Sequence, residues 1–539
     1  MKQKSLLSVS GYLISMIIIA AALTGCGDKK ETGDEGGPTF GKVETVFEKA
    51  SRTYGIPKRL LLAVAFMESG FSTVPESVTY LNDENGIGFR LSETAFGISF
   101  RELGIIPTDA ANTFDIQVDA YSKWVISKMK EKKIELKANP ETLTDMYDWI
   151  WHLAQIHRSG DNTSRNVQIV FALELMRQLN SGAIWQDPGS TELIRLEPEQ
   201  SKLDINKFDK PIQDKFNLNT DDSDIFAAQF FELGYHETID TRNLPNHIKI
   251  IHCPFSLSAC LELQNGSNTD DKAKLQAHYL ITPDDSLVKK PLQVATHKSA
   301  VLLTDSSGDA KPLQDSVVIM LTGDSGRYIK GKRSVVNPKW FTEYQLKKMG
   351  IMVRQICSSI KKINDTVDIE KCKNPEIPDG VRFQRQLAGD EFKWGDIPDF
   401  DENIFWNYIK TPDQTSGISS FSFENNQKVF PAGSSIRFSL KFIKGTSKII
   451  IEQLQRCPDQ KVVWAPIRED MVRNMNEKNF EITIYDRGPN TNGQHFFRST
   501  VFDSAKILMG WSIEDVYVEN YEKGEASMAS AKMCERNGT

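Results

Sequence analysis

Glu68 closes a run, Arg59-Leu60-Leu61-Leu62-Ala63-Val64-Ala65-Phe66-Met67-Glu68-Ser69, that is apolar almost all round at helical spacing. Burial at the end of such a helix disfavours a charged carboxylate and raises its pKa. A general acid that protonates a glycosidic oxygen near neutral pH needs that environment. A glutamate in this place can equally reach solvent or pair with Lys58 or Arg59. Two further chemistry-bearing residues also end apolar runs. His252 follows Ile248-Lys249-Ile250-Ile251, and Cys26 follows the stretch from Tyr12 to Leu23 through Thr24-Gly25.

The elements that must position Glu68 are helical. Val43, Val46, Phe47 and Ala50 mark one face of a helix, Tyr54-Gly55-Ile56-Pro57 breaks it, and Pro57 suits the first turn of the next. The helical pattern runs from Phe40 to about Ile184. Residues 54–71 (YGIPKRLLLAVAFMESGF) resemble the lytic transglycosylase and goose-type lysozyme superfamily. Thr94-Ala95-Phe96-Gly97-Ile98-Ser99-Phe100 is similar to its Gly-rich segment, with Phe100 where the family usually has Gln. Asn112-Thr113-Phe114-Asp115 and a helix through Tyr121 and Trp124 follow in order, and Ala154-Gln155-Ile156-His157 stands in for the family's Ala-Tyr-Asn. The resemblance implies an α-helical lysozyme-like domain over residues 40–189. In it Glu68 acts as acid and then base, with Ser69, Gly97, Ile98 and His157 beside the sugar. Asp83, Glu84 and Glu93 are alternatives for a second carboxylate, or solvated loop residues.

Residues 190–238 read as a polar linker holding one helix around Ile225–Phe231. Strand-like runs at 248–252, 277–282 and 316–323 then precede a helix from Thr342 to about Lys362. Strands interleaved with helices suggest an α/β layer structure. The segments IKIIH, AHYLIT, DSVVIMLTG and WFTEYQLKKMGIMVRQI resemble, in that order, the zinc N-acetylmuramoyl-L-alanine amidases that include peptidoglycan recognition proteins. This implies an α/β amidase-like domain over 239–410. The implied zinc ligands are His252, Asp390 and Asp401 (or Asp399). Asp390 replaces a histidine of the family and Met320 stands where many members carry a catalytic Glu. One imidazole with two carboxylates is a weaker set for zinc, so the expectation is an impaired or metal-free site. His278 and His297 are further candidates, with packed imidazoles as the competing reading.

From about Ser416 the period changes to two, as in Ile436, Phe438, Leu440 and Phe442, which suggests a C-terminal β-sandwich over 411–539. At the other end, Lys2 and Lys4 precede an apolar run too short to cross a ~30 Å bilayer core comfortably. Leu23-Thr24-Gly25-Cys26 resembles the lipobox of bacterial lipoproteins. That implies a signal peptide over 1–25, a lipid anchor on Cys26, a tether over 26–39, and a cell-envelope position facing the periplasm. The other six cysteines pair by proximity as Cys253–Cys260, Cys357–Cys372 and Cys457–Cys534, or remain buried thiols.

With 65 Lys and Arg against 72 Asp and Glu, a formal charge of −7, the chain is not a general nucleic-acid binder. Its 539 residues suggest three or four domains, and 40% hydrophobic residues suit packed globular protein. The expected fold class is multidomain α+β. Two wall-directed folds in one exported chain imply peptidoglycan as partner, beside the membrane reached through Cys26. The first expectation is a peptidoglycan hydrolase lipoprotein that cuts between N-acetylmuramic acid and N-acetylglucosamine, with an amidase-like domain that binds or cuts the muramoyl-L-alanine amide. The second is a catalytically impaired peptidoglycan-binding scaffold.

Overall fold

The computed structural model describes residues 42–71, 94–106, 113–136, 143–159, 165–186, 193–199 and 203, most of 223–383 apart from short breaks, and 408–410, 417–456, 462–483 and 493–519, the last stretches with single-residue gaps. The leader, Cys26 and the tether lie outside the described residues. Residues 41–539 belong to one compact unit.

Five helices open it: α1 (Lys42–Tyr54), α2 (Lys58–Ser69), α3 (Phe114–Glu131), α4 (Leu143–His157) and α5 (Arg165–Ser181). The break between α1 and α2 is built as its residues require. Gly55 takes a φ of 71°, and its N–H bonds Ser51 O at 2.8 Å. Pro57, which has no N–H to leave unsatisfied, then precedes α2. Leu60, Leu61, Ala63, Val64 and Ala65 of α2 pack with Phe47, Val118, Ile150, Leu153, Phe171 and Leu175. A hairpin of Ala183–Gln186 and Leu193–Leu196 adds Ile194 and Leu196 to this core.

The middle of the chain forms a six-stranded mixed sheet in the order Val381–Phe383, His247–Cys253, Ser316–Thr322, Tyr279–Ile281, Leu292–Gln293, Gln229–Phe230. Every residue of Ser316–Thr322 is buried, as a parallel strand covered on both faces requires. Helix α7 (Glu343–Ile363) covers one face through Leu346, Met349, Val353 and Ile356. Helix α6 (Leu257–Gln264) covers the other through Leu257 and Leu261, joined there by Val167 and Val170 of α5. Helix α5 therefore serves two cores, and the helical and α/β regions share a wall. The segment Ile225–Phe231 departs from its expected helix. It is a turn leading into the edge strand Gln229–Phe230, because sheet pairing with Leu292–Gln293 satisfies its backbone.

Two disulfides follow the proximity pairing. Cys253–Cys260 joins the strand His247–Cys253 to α6, and Cys357–Cys372 joins α7 to the short α8 (Ile369–Cys372). Cys457 and Cys534 lie outside the described residues. Near the C-terminal end of the described residues, two sheets of three and five strands pack around Phe438, Leu440, Phe480, Ile449, Ile451, Phe497 and Val516. Along Ser435–Phe442 burial alternates, with Ile436, Phe438, Leu440 and Phe442 turned inward. The chain is thus an α+β protein of several layers.

Candidate functional site

Helix α2 ends where Gly70 turns left-handed (φ 55°) and the N–H groups of Gly70 and Phe71 cap Phe66 O and Ala65 O. That stop fixes Glu68 in the last turn, pointing into the body. Its side chain is 4% exposed, and Oε1 accepts from Nη2 of Arg158, itself 3% exposed, at 2.7 Å. The opposite side is closed by Gly97. A Cβ on that residue would lie 2.5 Å from Glu68 Oε2, and its φ of 68° also favours glycine. The Gly-rich segment is held by Thr94, whose Oγ1 donates to Ile98 O at 2.7 Å, and by Ala95 N–H on Gln117 Oε1 at 2.8 Å. Ile98 is buried, and Ser69 Oγ donates to Ala65 O at 2.9 Å.

Arg158 is the first residue past α4, and it ties the two walls together. Its Nη1 lies 3.4 Å from Glu262 Oε2, and Nη2 lies 3.4 Å from Ser258 Oγ, both on α6. The guanidinium sits over the Phe171 ring at 5.0 Å. Glu174 of α5 caps α6 from the same side, accepting from Leu257 N–H at 2.6 Å and Ser258 N–H at 3.0 Å. A carboxylate at a helix N-terminus complements both the open N–H groups and the helix dipole. Burial pushes the Glu174 carboxyl up, with the Glu68 charge adding to that and the Ser258 bonds opposing it. Burial also pushes Glu262 up, against Arg158. For Arg158 burial works against the charge, but Glu68 and Glu262 outweigh it and the pKa rises.

His157 lies buried against this cluster. Its Nε2 meets Tyr121 Oη at 2.6 Å, its ring stacks on Phe171, and Tyr121 stacks on Phe96 at 3.9 Å. Burial, then Arg158, holds the imidazole well below its usual pKa, and its Nδ1 has no partner among the described residues. The arrangement joins Glu68, Gly97, Ile98 and His157 in one place, as expected. It adds Arg158, Glu174, Ser258 and Glu262. The sequence weighed only Lys58 and Arg59 as cations for Glu68. Lys58 instead meets Glu44 at 2.5 Å and Arg59 meets Glu199 at 2.6 Å.

A cleft of about 1080 Å³ lies between α1, α3 and residues 102–105. Tyr54, Trp124, Glu102, Asp115, Asp119, Lys49 and Lys123 line it. Trp124 Nε1–H donates to Glu102 Oε1 at 3.2 Å, and Tyr54 Oη–H donates to Asp119 Oδ1 at 2.5 Å. Burial opposes the Asp119 charge, yet Lys123, Tyr54 and Lys49 hold its pKa below the usual value. Aromatic edges beside carboxyl oxygens that can accept hydrogen bonds from hydroxyl groups are suited to a saccharide.

The second expected centre is less complete. His252 lies in the strand His247–Cys253 with Leu321 as its register partner, and its side chain lies outside the described residues, as do Asp390, Asp399 and Asp401. Beside it Met320 is buried in the core with its sulfur 3.7 Å from Gln264 Nε2, and Thr322 donates to Ile281 O. Among the described residues no three metal-ligating side chains converge. The imidazoles of His278 and His297 are packed. His278 Nδ1 accepts from Val318 N–H and Nε2 donates to Ser299 O, each at 2.9 Å. His297 bonds Tyr279 and Ser359 at 2.5 and 3.0 Å, and burial brings its pKa down to about 4.

No family model and no curated protein matches the chain. Solved structures that match in part include a chitin binding domain from Burkholderia pseudomallei, at 13% identity over 17% of this chain and 56% of that one, with a TM-score of 0.14. The sporulation control protein Spo0M from Bacillus subtilis matches at 16% identity over 19% of this chain and 48% of its own, also with a TM-score of 0.14. A Niemann-Pick type C2 protein from Japanese carpenter ant matches at 10% identity over 19% of this chain and 90% of its own, again at 0.14. The chain thus spans about half the length of the first two.

Proposed function

We propose that the chain is a lipid-anchored cell-envelope protein that binds peptidoglycan as a scaffold, with lysozyme-like and amidase-like folds used for recognition rather than hydrolysis. The observation that carries this reading is the Glu68–Arg158 pair at 2.7 Å, enclosed by Gly97 on one side and by α6 on the other. A glycosidic oxygen must approach the carboxyl within hydrogen-bond distance to receive its proton. Here Oε1 accepts from a guanidinium, and Gly97 lies so close to Oε2 that a Cβ on it would stand 2.5 Å away. A sugar oxygen reaching Oε1 would have to displace the Arg158 guanidinium.

The glycan is assigned to the cleft between α1 and α3, where Asp115, Asp119 and Glu102 accept hydrogen bonds from sugar hydroxyls beside Tyr54 and Trp124. No step is assigned to zinc. Cys26 supplies the anchor, and the wall is the partner.

Incubation with purified sacculi tests the reading. Wild type and Glu68→Gln both co-sediment and release no soluble muropeptide, while Asp115→Ala with Asp119→Ala reduces sedimentation. Anhydromuropeptides or new reducing ends released by wild type and not by Glu68→Gln overturn it in favour of the glycan-cutting enzyme.

A further inference from the structure

One end of the C-terminal sandwich carries a surface that the wall-binding reading leaves unused. Three turns meet there, at residues 443–447, 472–476 and 503–507. Backbone bonds hold them side by side: Ser447 N–H to Phe502 O and Val472 N–H to Ser447 O, each at 2.8 Å. Six large apolar side chains are exposed among the described residues, and three of them stand here, Met471 at 69%, Met475 at 46% and Ile507 at 55%. Each turn also presents an exposed cation: Lys444, Arg473 and Lys506. None of the three is ion-paired among the described residues.

The acidic side chains at this end are engaged elsewhere. Asp503 accepts from Ala505 N–H and Ile507 N–H at 2.8 Å, inside its own turn. Glu469 pairs with Lys448, Asp470 with Lys478 and Arg468, and Glu477 accepts from Ser439. The turns are tight and project. Gly445, Asn474 and Lys506 have positive φ, and a Cβ on Gly445 would meet nothing within 4 Å.

We propose that this end docks on an anionic lipid surface. Three separate convex tips do not form a groove for a peptide or helix. Apolar side chains ringed by cations instead match the layered chemistry of a bilayer face, with acyl chains below and anionic headgroups above. The chain as a whole carries −7 and is repelled by such a surface. Three unpaired cations gathered at one end therefore set the orientation as well as the attraction.

Residues 27–539 retain the whole compact unit that starts at Gly41 and lack both the apolar leader and Cys26. They are sedimented with vesicles of phosphatidylcholine and with vesicles in which phosphatidylglycerol replaces part of it. The expected result is co-sedimentation with the anionic vesicles alone, weakened by added salt. Arg473→Glu with Lys506→Glu weakens binding by about 25-fold or more, at about fivefold for each cation near the surface. Met475→Ser with Ile507→Ser weakens it about tenfold through lost insertion. All four positions are exposed, so an unchanged thermal melting curve verifies the fold of each variant. Equal binding to neutral vesicles, no binding to either, or indifference to both double variants overturns the proposal. So does sedimentation with sacculi that these substitutions abolish, which reassigns the tip to the wall.

Discussion

The Arg158 guanidinium and the Glu68 carboxylate, 90 residues apart in sequence, meet at 2.7 Å with both side chains under 5% exposed. Around them the buried Glu174 and the half-buried Glu262 complete a cluster of three acids and one base that joins α2, α5, α6 and the residue after α4.

Breaking such a pair from one side leaves an uncompensated buried charge, which costs about 3–5 kcal/mol. Arg158→Met is therefore expected to lower stability by that amount in urea unfolding, and Glu68→Met by less, because Glu262 still faces Arg158 at 3.4 Å. The double variant should recover part of the loss, since both charges leave together. A neutral or stabilising Glu68→Met, as is common for catalytic residues held under strain, would contradict a structural pair.

Gly97 is tied to the same contact. Gly97→Ala places a methyl group against Glu68 Oε2 and forces a left-handed φ on alanine. The backbone term alone is about 1–2 kcal/mol. The variant should melt lower than wild type, and Gly104→Ala, which has a similar φ of 69° but open space around it, should cost less.

Buried histidines set a pH dependence. Burial brings His297 and His495 down to about 4, from an ordinary 6.5. A depressed histidine binds its proton more readily when unfolded. Stability from these groups is therefore complete above pH 6.5 and is lost as pH falls towards about 4, at about 1.4 kcal/mol for each unit and group. Glu174 and Glu262, pushed up, act in the opposite sense as pH rises from their ordinary value of 4.5. The informative measurement is thus a difference. Melting temperature between pH 4.5 and 7 should rise less steeply with pH in His495→Gln than in wild type.

Purified protein is expected to carry less than one zinc per chain by elemental analysis, because Asp390 stands where the resembled amidases have a histidine. Stoichiometric zinc that disappears in His252→Ala would establish the metal centre instead.

Much of the fold was legible in local patterns. The helix expected from Thr342 is α7, with the Thr342 hydroxyl accepting from Gln345 N–H as its cap. The strand expected at 248–252 spans His247–Cys253, and that expected at 316–323 spans Ser316–Thr322. The edge strand Gln229–Phe230 was not legible. Its two paired residues carry no period, and only Leu292–Gln293 makes it a strand. Hairpin residues Ile194 and Leu196 likewise fell in a stretch read as linker, although they pack on the helical core.

For the site, side-chain type and spacing alone determined that Glu68 ends a buried helix, a feature decided within one or two turns of chain. That a glycine segment and His157 accompany it is what the family resemblance implied. Which cation meets the carboxylate, and whether its face stays open, only the tertiary structure decided. Arg158 reaches Glu68 because α4 ends beside α2, and α6 closes the space because α5 packs into two cores at once. Such contacts between distant segments are set by how whole faces bury together, and no local periodicity records them.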